Sequence, residues 1–353
     1  MAKMMHAHQY SKYHGGPSAL EYVEVPVPTP KKGDMLVKVE ASSVNIVDWR
    51  IQDGLLKYVL PRKFPHIPGT DISGEVVSVG SGVEGFAPGD KILSWIDLLR
   101  GGGFAEYALA PVTSTVKRPP SISAVDAASL PVAAMTALQS AVHLIGLKLD
   151  GSGPKLNILI TAASGGVGIF WTQARSSFSS TPDLSRTVRQ GVFEEYRIAK
   201  LCGCFVTATC GARNMELVRS LGADEVLDYK TPEGASFKSP SGKKYDVVVQ
   251  LAPYRPLEAF KAQLTKRGTV VDMTPTLRTV LRNWYNKITF SKQSFLPFVL
   301  DAKNTTDLQS VTDLVEQGKL KVIVDSTFPL AKAPDAWARS IEGHSTGKVV
   351  LIV

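Results

Sequence analysis

The sequence predicts an α/β protein in which a doubly wound parallel sheet follows a β-rich, partly barrel-like domain. The sheet is predicted by apolar runs of strand length that alternate with helical segments, and by a glycine turn after the first of these runs. The β-rich domain is predicted by short strands between frequent Pro and Gly in the first ~125 residues, such as 23–28 and 35–40.

The glycine turn follows the apolar run Leu156–Ile160. Ala162, Gly165 and Gly168 have the spacing A-x-x-G-x-x-G, a variant of the dinucleotide fingerprint G-x-G-x-x-G. Glycine lets the backbone turn tightly against a pyrophosphate, and the following helix offers its first N–H groups to the anion. We therefore expect a dinucleotide to contact the turn residues Ser164, Gly165, Gly166, Val167 and Gly168.

The second strand, 204–209, indicates which dinucleotide binds. No acidic residue stands at its end, where an NAD site holds the ribose hydroxyl, and Arg213 lies just beyond it. A guanidinium suits the 2′-phosphate of NADPH. The cofactor prediction is therefore NADPH, with Arg213 as a solvated residue of a first helical turn as the alternative.

Three further strands are predicted at 225–229, 245–250 and 268–273, with helices at 214–221 and 257–264. Ligands of such sheets bind at the carboxyl ends of the strands. This placement predicts cofactor contacts at Tyr229, Ala252, Met273 and Thr274. Ordinary packing is the alternative for each of them.

Several motifs occur in the order that one known family has. Besides the glycine turn, they are 68–76 (PGTDISGEV), 101–107 (GGGFAEY), 130–137 (LPVAAMTA), 221–226 (LGADEV) and 343–348 (GHSTGK). Together they resemble the medium-chain dehydrogenase/reductase superfamily, and within it the zinc-free quinone oxidoreductase branch. The resemblance implies a GroES-like catalytic domain over 1–129, to which 298–353 return, and a Rossmann NADPH-binding domain over 130–297.

The resemblance also implies site residues. It places Asn45 and Asp48 beside the nicotinamide, with Asn45 bonded to the carboxamide or to the substrate oxygen, and it implies cofactor contacts at Thr136 and His344. For Asp48 a structural role, holding the loop through an Asx-type bond, is the alternative. Ile46 stands where the nearest relatives have proline.

No metal site is predicted. The cysteines, Cys202, Cys204 and Cys210, surround one strand without a ligand cluster, and the zinc-binding relatives carry Gly-His-Glu where this chain has 69–71 (Gly-Thr-Asp). Hydride transfer to a quinone or to the activated C=C bond of an α,β-unsaturated carbonyl is therefore the favoured reaction. The alternative is an NADPH-binding, membrane-associated or redox-sensing protein with little turnover.

Residues at about 174–196 interrupt the helix that follows the glycine turn. They are rich in Ser, Thr and Arg and include Pro182 and Gly191, which predicts an inserted exposed loop. A regulatory loop is the alternative interpretation.

The net charge of +8 favours anionic partners. Basic and aromatic residues that predict contact with an anionic membrane, or alternatively a solvated face and core aromatics, are Arg278, Arg282, Trp284, Tyr285, Lys287, Phe290, Lys292 and Phe295. No nucleic-acid motif, apolar span of ~20 residues or transit peptide is seen. Resemblance to chloroplast-envelope members implies a peripheral location at the inner envelope, with the cytoplasm as the alternative. A homodimer is left open.

Overall fold

The computed structural model describes residues 3–55, 57–58, 61–173, 203–252, 255–256, 258–274 and 292–353. The predicted insertion at 174–196 lies outside these residues, as do six of the eight residues of the basic and aromatic segment. The chain divides into two compact units. Unit 1 comprises Met1–Thr136, Leu300–Gln317 and Val322–Val353, and unit 2 comprises Ala137–Val299 and Gly318–Lys321.

The strands among the described residues are β1 Met4–Gln9, β2 Glu21–Pro26, β3 Asp34–Val44, β4 Asp71–Val79, β5 Lys91–Trp95, β6 Tyr107–Pro111, β7 Thr115–Lys117, β8 Asn157–Ile160, β9 Phe205–Cys210, β10 Glu225–Asp228, β11 Tyr245–Gln250, β12 Leu264–Asp272, β13 Ser294–Pro297, β14 Val324–Pro329 and β15 Lys348–Ile352. The α-helices of the same residues are α1 Ile46–Gln52, α2 Ala124–Ala128, α3 Pro131–Gln139, α4 Gly168–Thr172, α5 Met215–Ser220, α6 Pro232–Ala235, α7 Glu258–Lys261, α8 Thr305–Glu316 and α9 Ala333–Ile341.

Unit 1 is built on a sheet with the strand order β14-β15-β3-β4-β5-β7, in which β6 also pairs with β3. All pairs are antiparallel except β14 with β15. Alternate residues of the central strands, such as Met35, Val37 and Ile72, are fully buried in one core cluster. The β-rich domain that the sequence predicts is confirmed, and β14 and β15 come from the C-terminal end of the chain.

Unit 2 contains a parallel sheet with the strand order β10-β9-β8-β11-β12-β13. The first strand in sequence, β8, lies in the middle, which is the order of a Rossmann sheet. Ile158, Leu159 and Ile160 are fully buried. A parallel strand that is covered on both faces is expected to consist of such a continuous apolar run. The predicted doubly wound sheet is confirmed.

Two predictions in unit 2 need correction. The predicted helix 257–264 ends at Lys261, and Leu264 already begins β12, where it pairs with Tyr245 and packs in the core against Val248. Tertiary contacts with the neighbouring strand determine the conformation of Leu264, so the helical periodicity of the sequence predicts the wrong end for this helix. Phe295 is only 3% exposed and packs in the same core, so membrane contact is wrong for this side chain and the core-aromatic alternative holds.

Candidate functional site

Five polar side chains from distant parts of unit 1 meet in a buried cluster, which we call the Lys348 cluster: Asn45, Asp48, Thr70, Asp71 and Lys348. None of them is more than 5% exposed. Strand β3 brings them together because it pairs on one side with β4 and on the other with β15. Ser43 lies opposite Asp71, and Val44 lies opposite Val349.

The amide of Asn45 is bonded at both ends within this cluster. Its Oδ1 accepts a hydrogen bond of 2.6 Å from Nζ of Lys348, which also lies 3.4 Å from the carbonyl oxygen of Val44. Its Nδ2 donates to Oδ2 of Asp71 at 2.9 Å and to Oγ1 of Thr70 at 3.4 Å. The contacts therefore fix the orientation of the amide.

Asp48 holds the first turn of α1. Its Oδ2 accepts from the backbone N–H of Asn45 at 2.8 Å, which is the carboxylate half of a capping box. Its Oδ1 accepts from the hydroxyl of Thr70 at 3.4 Å. Through these bonds Asp48 holds the loop before α1, as its structural alternative requires. The catalytic role of Asn45 and Asp48 stays a prediction.

Burial controls the charges of the Lys348 cluster. It raises the pKa of Asp48 to about 7, against the opposing effect of the hydrogen bond from Asn45. Burial also raises the pKa of Asp71 and lowers the pKa of Lys348. The ammonium of Lys348 lies 4.0 Å from Oδ2 of Asp71, and the attraction between the two groups opposes both of these shifts.

Helix α1, which begins after Asn45, is held by the C-terminal helix α9. Nε1 of Trp49 donates to Oγ of Ser340 at 3.2 Å, and Nε1 of the fully buried Trp337 donates to Oε1 of Gln52 at 3.2 Å. The C-terminal part of the chain thus supplies both Lys348 and the support of the helix beside it.

A small cavity in unit 1 adjoins the Lys348 cluster. Its lining includes Tyr10, Asp48, Ile51, His66, Thr70 and Leu98. Its volume is about 10 Å³, close to what one water molecule requires. Asp48 and Thr70 are therefore the members of the cluster that a small group in this cavity would meet.

In unit 2 the glycine turn is tightly folded. The N–H of Gly165 donates to the carbonyl oxygen of Ala162 at 3.0 Å, and Ala162 has a φ of 49°. A Cβ on Gly168 would lie 2.4 Å from that same oxygen, so only glycine fits there. Ser164 contacts the start of α5, because its Oγ accepts a hydrogen bond from Nδ2 of Asn214, the residue before that helix, at 3.0 Å.

The neighbouring strand ends carry several of the predicted cofactor contacts. Tyr229 is 41% exposed, and a Cβ on Gly211 would be 3.6 Å from its ring, so the ring lies beside the segment that leads to the exposed Arg213. At the ends of β8 and β11, the hydroxyl of Thr161 accepts from the N–H of Ala252 at 3.2 Å.

The other predicted cofactor contacts have different surroundings. The N–H of Thr274 donates to Oδ1 of Asp272 at 3.0 Å, and the N–H of Met273 donates to the carbonyl oxygen of Gln250 at 3.2 Å. Thr136 and His344 belong to unit 1, where Thr136 is buried in α3 and His344 is exposed. Cofactor contact at all of these positions stays a prediction.

Sequence reasoning did not assign a role to Lys348, although the motif GHSTGK contains it. The available signal was a lysine that directly precedes the apolar run VVLIV, because the first residues of a buried strand rarely carry a charge without a partner. Its partners lie about 300 residues earlier in the chain, so the pairing itself left no local pattern.

In the part of the chain that the structure describes, no three His, Cys, Asp or Glu side chains lie close enough together to hold a metal ion. No described helix is long and apolar enough to cross a bilayer.

Comparisons with known proteins decide the family. The family described as "Alcohol dehydrogenase GroES-like domain" matches residues 31–120, and "Zinc-binding dehydrogenase" matches residues 221–351. A chloroplast envelope quinone oxidoreductase homologue of Arabidopsis thaliana is 51% identical over 99% of this chain and 98% of its own length. This chain belongs to the medium-chain dehydrogenase/reductase superfamily.

Within this superfamily the chain is an oxidoreductase of the quinone oxidoreductase type. A chloroplastic quinone oxidoreductase homologue of Spinacia oleracea is 49% identical over 99% of both chains. The quinone oxidoreductase of Coxiella burnetii is 27% identical, and its solved structure superimposes with a TM-score of 0.81 over 99% of this chain and 100% of its own. The resemblance inferred from the motifs is confirmed. The superfamily uses nicotinamide dinucleotides, NAD or NADP.

Proposed function

We propose that this protein is an NADPH-dependent reductase of quinones or of α,β-unsaturated carbonyl compounds, and that it works without zinc. The observation that carries the proposal is the Lys348 cluster. The ammonium group of Lys348 lies 4.0 Å from Oδ2 of Asp71, and burial raises the pKa of Asp48 to about 7, so neither carboxyl group requires a metal ion.

Zinc does not suit the residues of this cluster. Zinc sites consist mainly of Cys, His and carboxylate ligands. The cluster offers an amide, a hydroxyl and two aspartates, and an ammonium group lies 4.0 Å from Oδ2 of Asp71, where it would repel a metal ion. Without a Lewis acid, the acceptor must already be electrophilic, as quinones and enones are.

A dinucleotide does suit the glycine turn of unit 2. Gly168 allows the turn to close tightly, because a Cβ there would lie 2.4 Å from the carbonyl oxygen of Ala162. The exposed Arg213 follows the end of β9 without an acidic neighbour at Gly211 or Ala212. Ser164, Gly165, Gly166, Val167 and Gly168 would hold the pyrophosphate, and Arg213 the 2′-phosphate. The cofactor supplies a hydride.

The small cavity of unit 1, with a volume of about 10 Å³, is large enough for one oxygen atom of the acceptor. Asp48 and Thr70 line the cavity beside the Lys348 cluster, and Tyr10, Ile51 and Leu98 complete a largely apolar wall. An acceptor that gains a hydride carries negative charge on its oxygen until solvent supplies a proton. Hydrogen-bond donors in a water-poor cavity stabilise such a charge more strongly than water-exposed donors do.

The test is NADPH oxidation, followed at 340 nm with quinones, alkenals and long-chain enones, and with NADH in parallel. Turnover of one acceptor class with NADPH preferred would support the reductase and identify its substrates. NADPH binding without turnover on any acceptor would favour the alternative of a binding or redox-sensing protein.

The preference for NADPH has its own test in Arg213→Ala. A charge-assisted hydrogen bond is worth about 1.5–3 kcal/mol, so NADPH affinity should fall roughly 10- to 100-fold while NADH affinity changes little. Arg219→Ala on the exposed side of α5 removes an equal charge and serves as the control. Equal losses for both cofactors would exclude the assigned role of Arg213.

We also propose a chloroplast location, peripheral to the envelope, because the relatives at 48–51% identity are named as chloroplastic or chloroplast-envelope proteins. The cytoplasm is the alternative. Import of the radiolabelled chain into isolated chloroplasts, followed by carbonate extraction of envelope membranes, distinguishes the two. Size-exclusion chromatography with light scattering tests the homodimer.

A further inference from the structure

Tyr10 presents an unpartnered hydroxyl to the small cavity of unit 1. Its side chain is 1% exposed and lines this cavity. Among the described residues its hydroxyl has no hydrogen-bond partner, and it is not one of the fully enclosed unpartnered atoms, so open space adjoins it. The cavity provides this space. A buried phenol normally bonds a partner, so the partner of Tyr10 is expected to be a group that enters the cavity.

The backbone and the neighbouring rings hold Tyr10 in this position. Directly after β1, Tyr10 forms an isolated bridge with His66, in which the N–H of each residue donates to the carbonyl oxygen of the other at 2.9 Å. Its ring meets the rings of Phe64 and His66 edge-on, with centroids 5.9 and 5.3 Å away. The side chain also packs in the core cluster that contains Trp337. A donor on a ring that is already fixed loses little entropy when it binds a ligand.

The polar groups around this cavity are donors without a positive charge. Burial raises the pKa of Tyr10, so its phenol stays protonated. His66 also lines the cavity; burial, with a contribution from the charge of Arg62, lowers its pKa to about 4, so at pH 7 the imidazole is neutral and has one N–H. The hydroxyl of Thr70 completes the set, 3.4 Å from Oδ1 of Asp48.

The size and charge of the cavity favour a neutral ligand. About 10 Å³ is room for one oxygen atom or one water molecule, so the two oxygens of a carboxylate do not fit. Asp48 also lines the cavity, and in its ionised form it repels an anion. A carbonyl oxygen is neutral when it binds and gains negative charge only as the acceptor is reduced. It is therefore the oxygen that these donors suit.

We infer that the hydroxyl of Tyr10 donates a hydrogen bond to the carbonyl oxygen of the acceptor in this cavity. The inference deepens the proposed reductase function and rests on it. During reduction of an enone, the hydride forms a C–H bond at the β-carbon, the C=C electrons move to the carbonyl oxygen, and the nicotinamide is oxidised. The phenol stabilises the negative oxygen and keeps its own proton, and water then protonates the enolate.

The test variant is Tyr10→Phe, which removes the hydroxyl and retains the ring. Tyr13→Phe is the matched control, because Tyr13 is not part of the cavity lining and its hydroxyl accepts from the backbone N–H of Arg62 at 2.8 Å. With an enone that the native protein reduces, Tyr10→Phe should lower kcat about 100-fold, as the loss of one oxyanion donor does, and should raise KM much less. NADPH affinity, and all constants of Tyr13→Phe, should stay within twofold. An unchanged kcat in Tyr10→Phe would contradict the inference.

Binding of 4-dimethylaminocinnamaldehyde needs no turnover. The absorption band of this enal moves to longer wavelength when a donor binds its carbonyl oxygen. With NADP⁺ present, which cannot donate a hydride, the native protein and Tyr13→Phe should shift the band, whereas Tyr10→Phe should shift it less and bind about 2- to 10-fold more weakly. This result supports the inference also if the native protein reduces no acceptor and the proposed function fails. No binding by the native protein, or equal shifts in all three proteins, would overturn it.

Thermal unfolding separates this role from a structural one. Because the hydroxyl of Tyr10 bonds no described residue, Tyr10→Phe should melt no lower than the native protein. Tyr13→Phe should melt lower, since the N–H of Arg62 loses its acceptor. A loss of stability in Tyr10→Phe as large as that in Tyr13→Phe would mean that the hydroxyl of Tyr10 supports the fold, and it would contradict the inference.

Discussion

The central strands of the parallel sheet of unit 2 and the Lys348 cluster of unit 1 are both largely buried, yet the sequence specifies them in different ways. The sheet consists of apolar runs that are continuous in sequence, such as 157–160 and 245–250. The cluster consists of isolated polar residues that meet only because β3 pairs with β4 and β15. The comparison teaches that apolar burial is visible in local sequence, whereas charge compensation depends on the register of distant strands.

The largest expected effect comes from removing the cation of the cluster. Lys348→Met leaves Asp71, which is fully buried, without its ammonium partner and leaves Oδ1 of Asn45 without a donor. Breaking a buried ion pair at one partner costs about 3–5 kcal/mol, to be measured as the free energy of unfolding in urea. Lys332→Met is the control, since that lysine is exposed and its ion pair is worth less than about 1 kcal/mol.

A double-mutant cycle with Asp71→Asn shows whether the two groups act as a pair. The double variant should recover a large part of the loss, because it removes the carboxylate that Lys348→Met leaves uncompensated. If Lys348→Met unfolds at the same urea concentration as the native protein, the charges of the cluster do not compensate one another. The contrast between apolar burial in the sheet and charge compensation in the cluster would then be wrong.

The second prediction concerns the pH dependence that Asp48 gives to the cluster. Its folded pKa is raised from 3.8 to about 7, so the folded state binds more protons than the unfolded state between these values. The stability that this proton contributes is complete below about pH 4 and is lost as the pH rises through 7. Asp48→Asn retains an acceptor for the N–H of Asn45, and its amide does not titrate between these pH values.

The variant Asp48→Asn should therefore match the native protein near pH 4 and exceed its stability at pH 8, by on the order of 2–4 kcal/mol. Urea unfolding at both pH values measures the difference, and the comparison of the two proteins cancels the titration of Asp71 and Lys348 to first order. Asp335→Asn, at an exposed aspartate, is the control. A native protein that gains stability relative to the variant between pH 4 and pH 8 would contradict the raised pKa.

The third prediction tests unit 2 at the glycine turn. In Gly168→Ala the new Cβ would lie 2.4 Å from the carbonyl oxygen of Ala162, so the turn must move. We expect a loss of about 1–3 kcal/mol in unfolding free energy and a weaker affinity for NADPH. Gly165→Ala is the matched control for the unfolding free energy, because its Cβ would be 3.3 Å from the same oxygen. Equal effects of the two variants would mean that close approach at 168 is not what requires glycine.

Features that lie within a continuous stretch of sequence could be predicted, whereas contacts between distant strands could not. The Rossmann sheet, the glycine turn and the β-rich domain follow from patterns within a few residues, and the structure confirms them. Near Asn45 the sequence indicated a site but not the bonds of its amide, because Lys348 and Asp71 come from other strands.

The smallest effect is expected at Arg339, whose hydrogen-bond partners lie within 14 residues of it in the sequence. Its guanidinium holds Asp325 through two hydrogen bonds of 2.8 Å and donates to the carbonyl oxygen of His344, and Asp325 in turn accepts from the N–H of Thr346 at 2.7 Å. The Arg339 side chain is 25% exposed, so water compensates part of any loss. Arg339→Lys, which cannot bind both oxygens at once, should cost about 1 kcal/mol or less in urea unfolding. If it cost as much as Lys348→Met, burial would not set the energy of such contacts. A clearly smaller cost is what the deeper burial of the Lys348 cluster predicts.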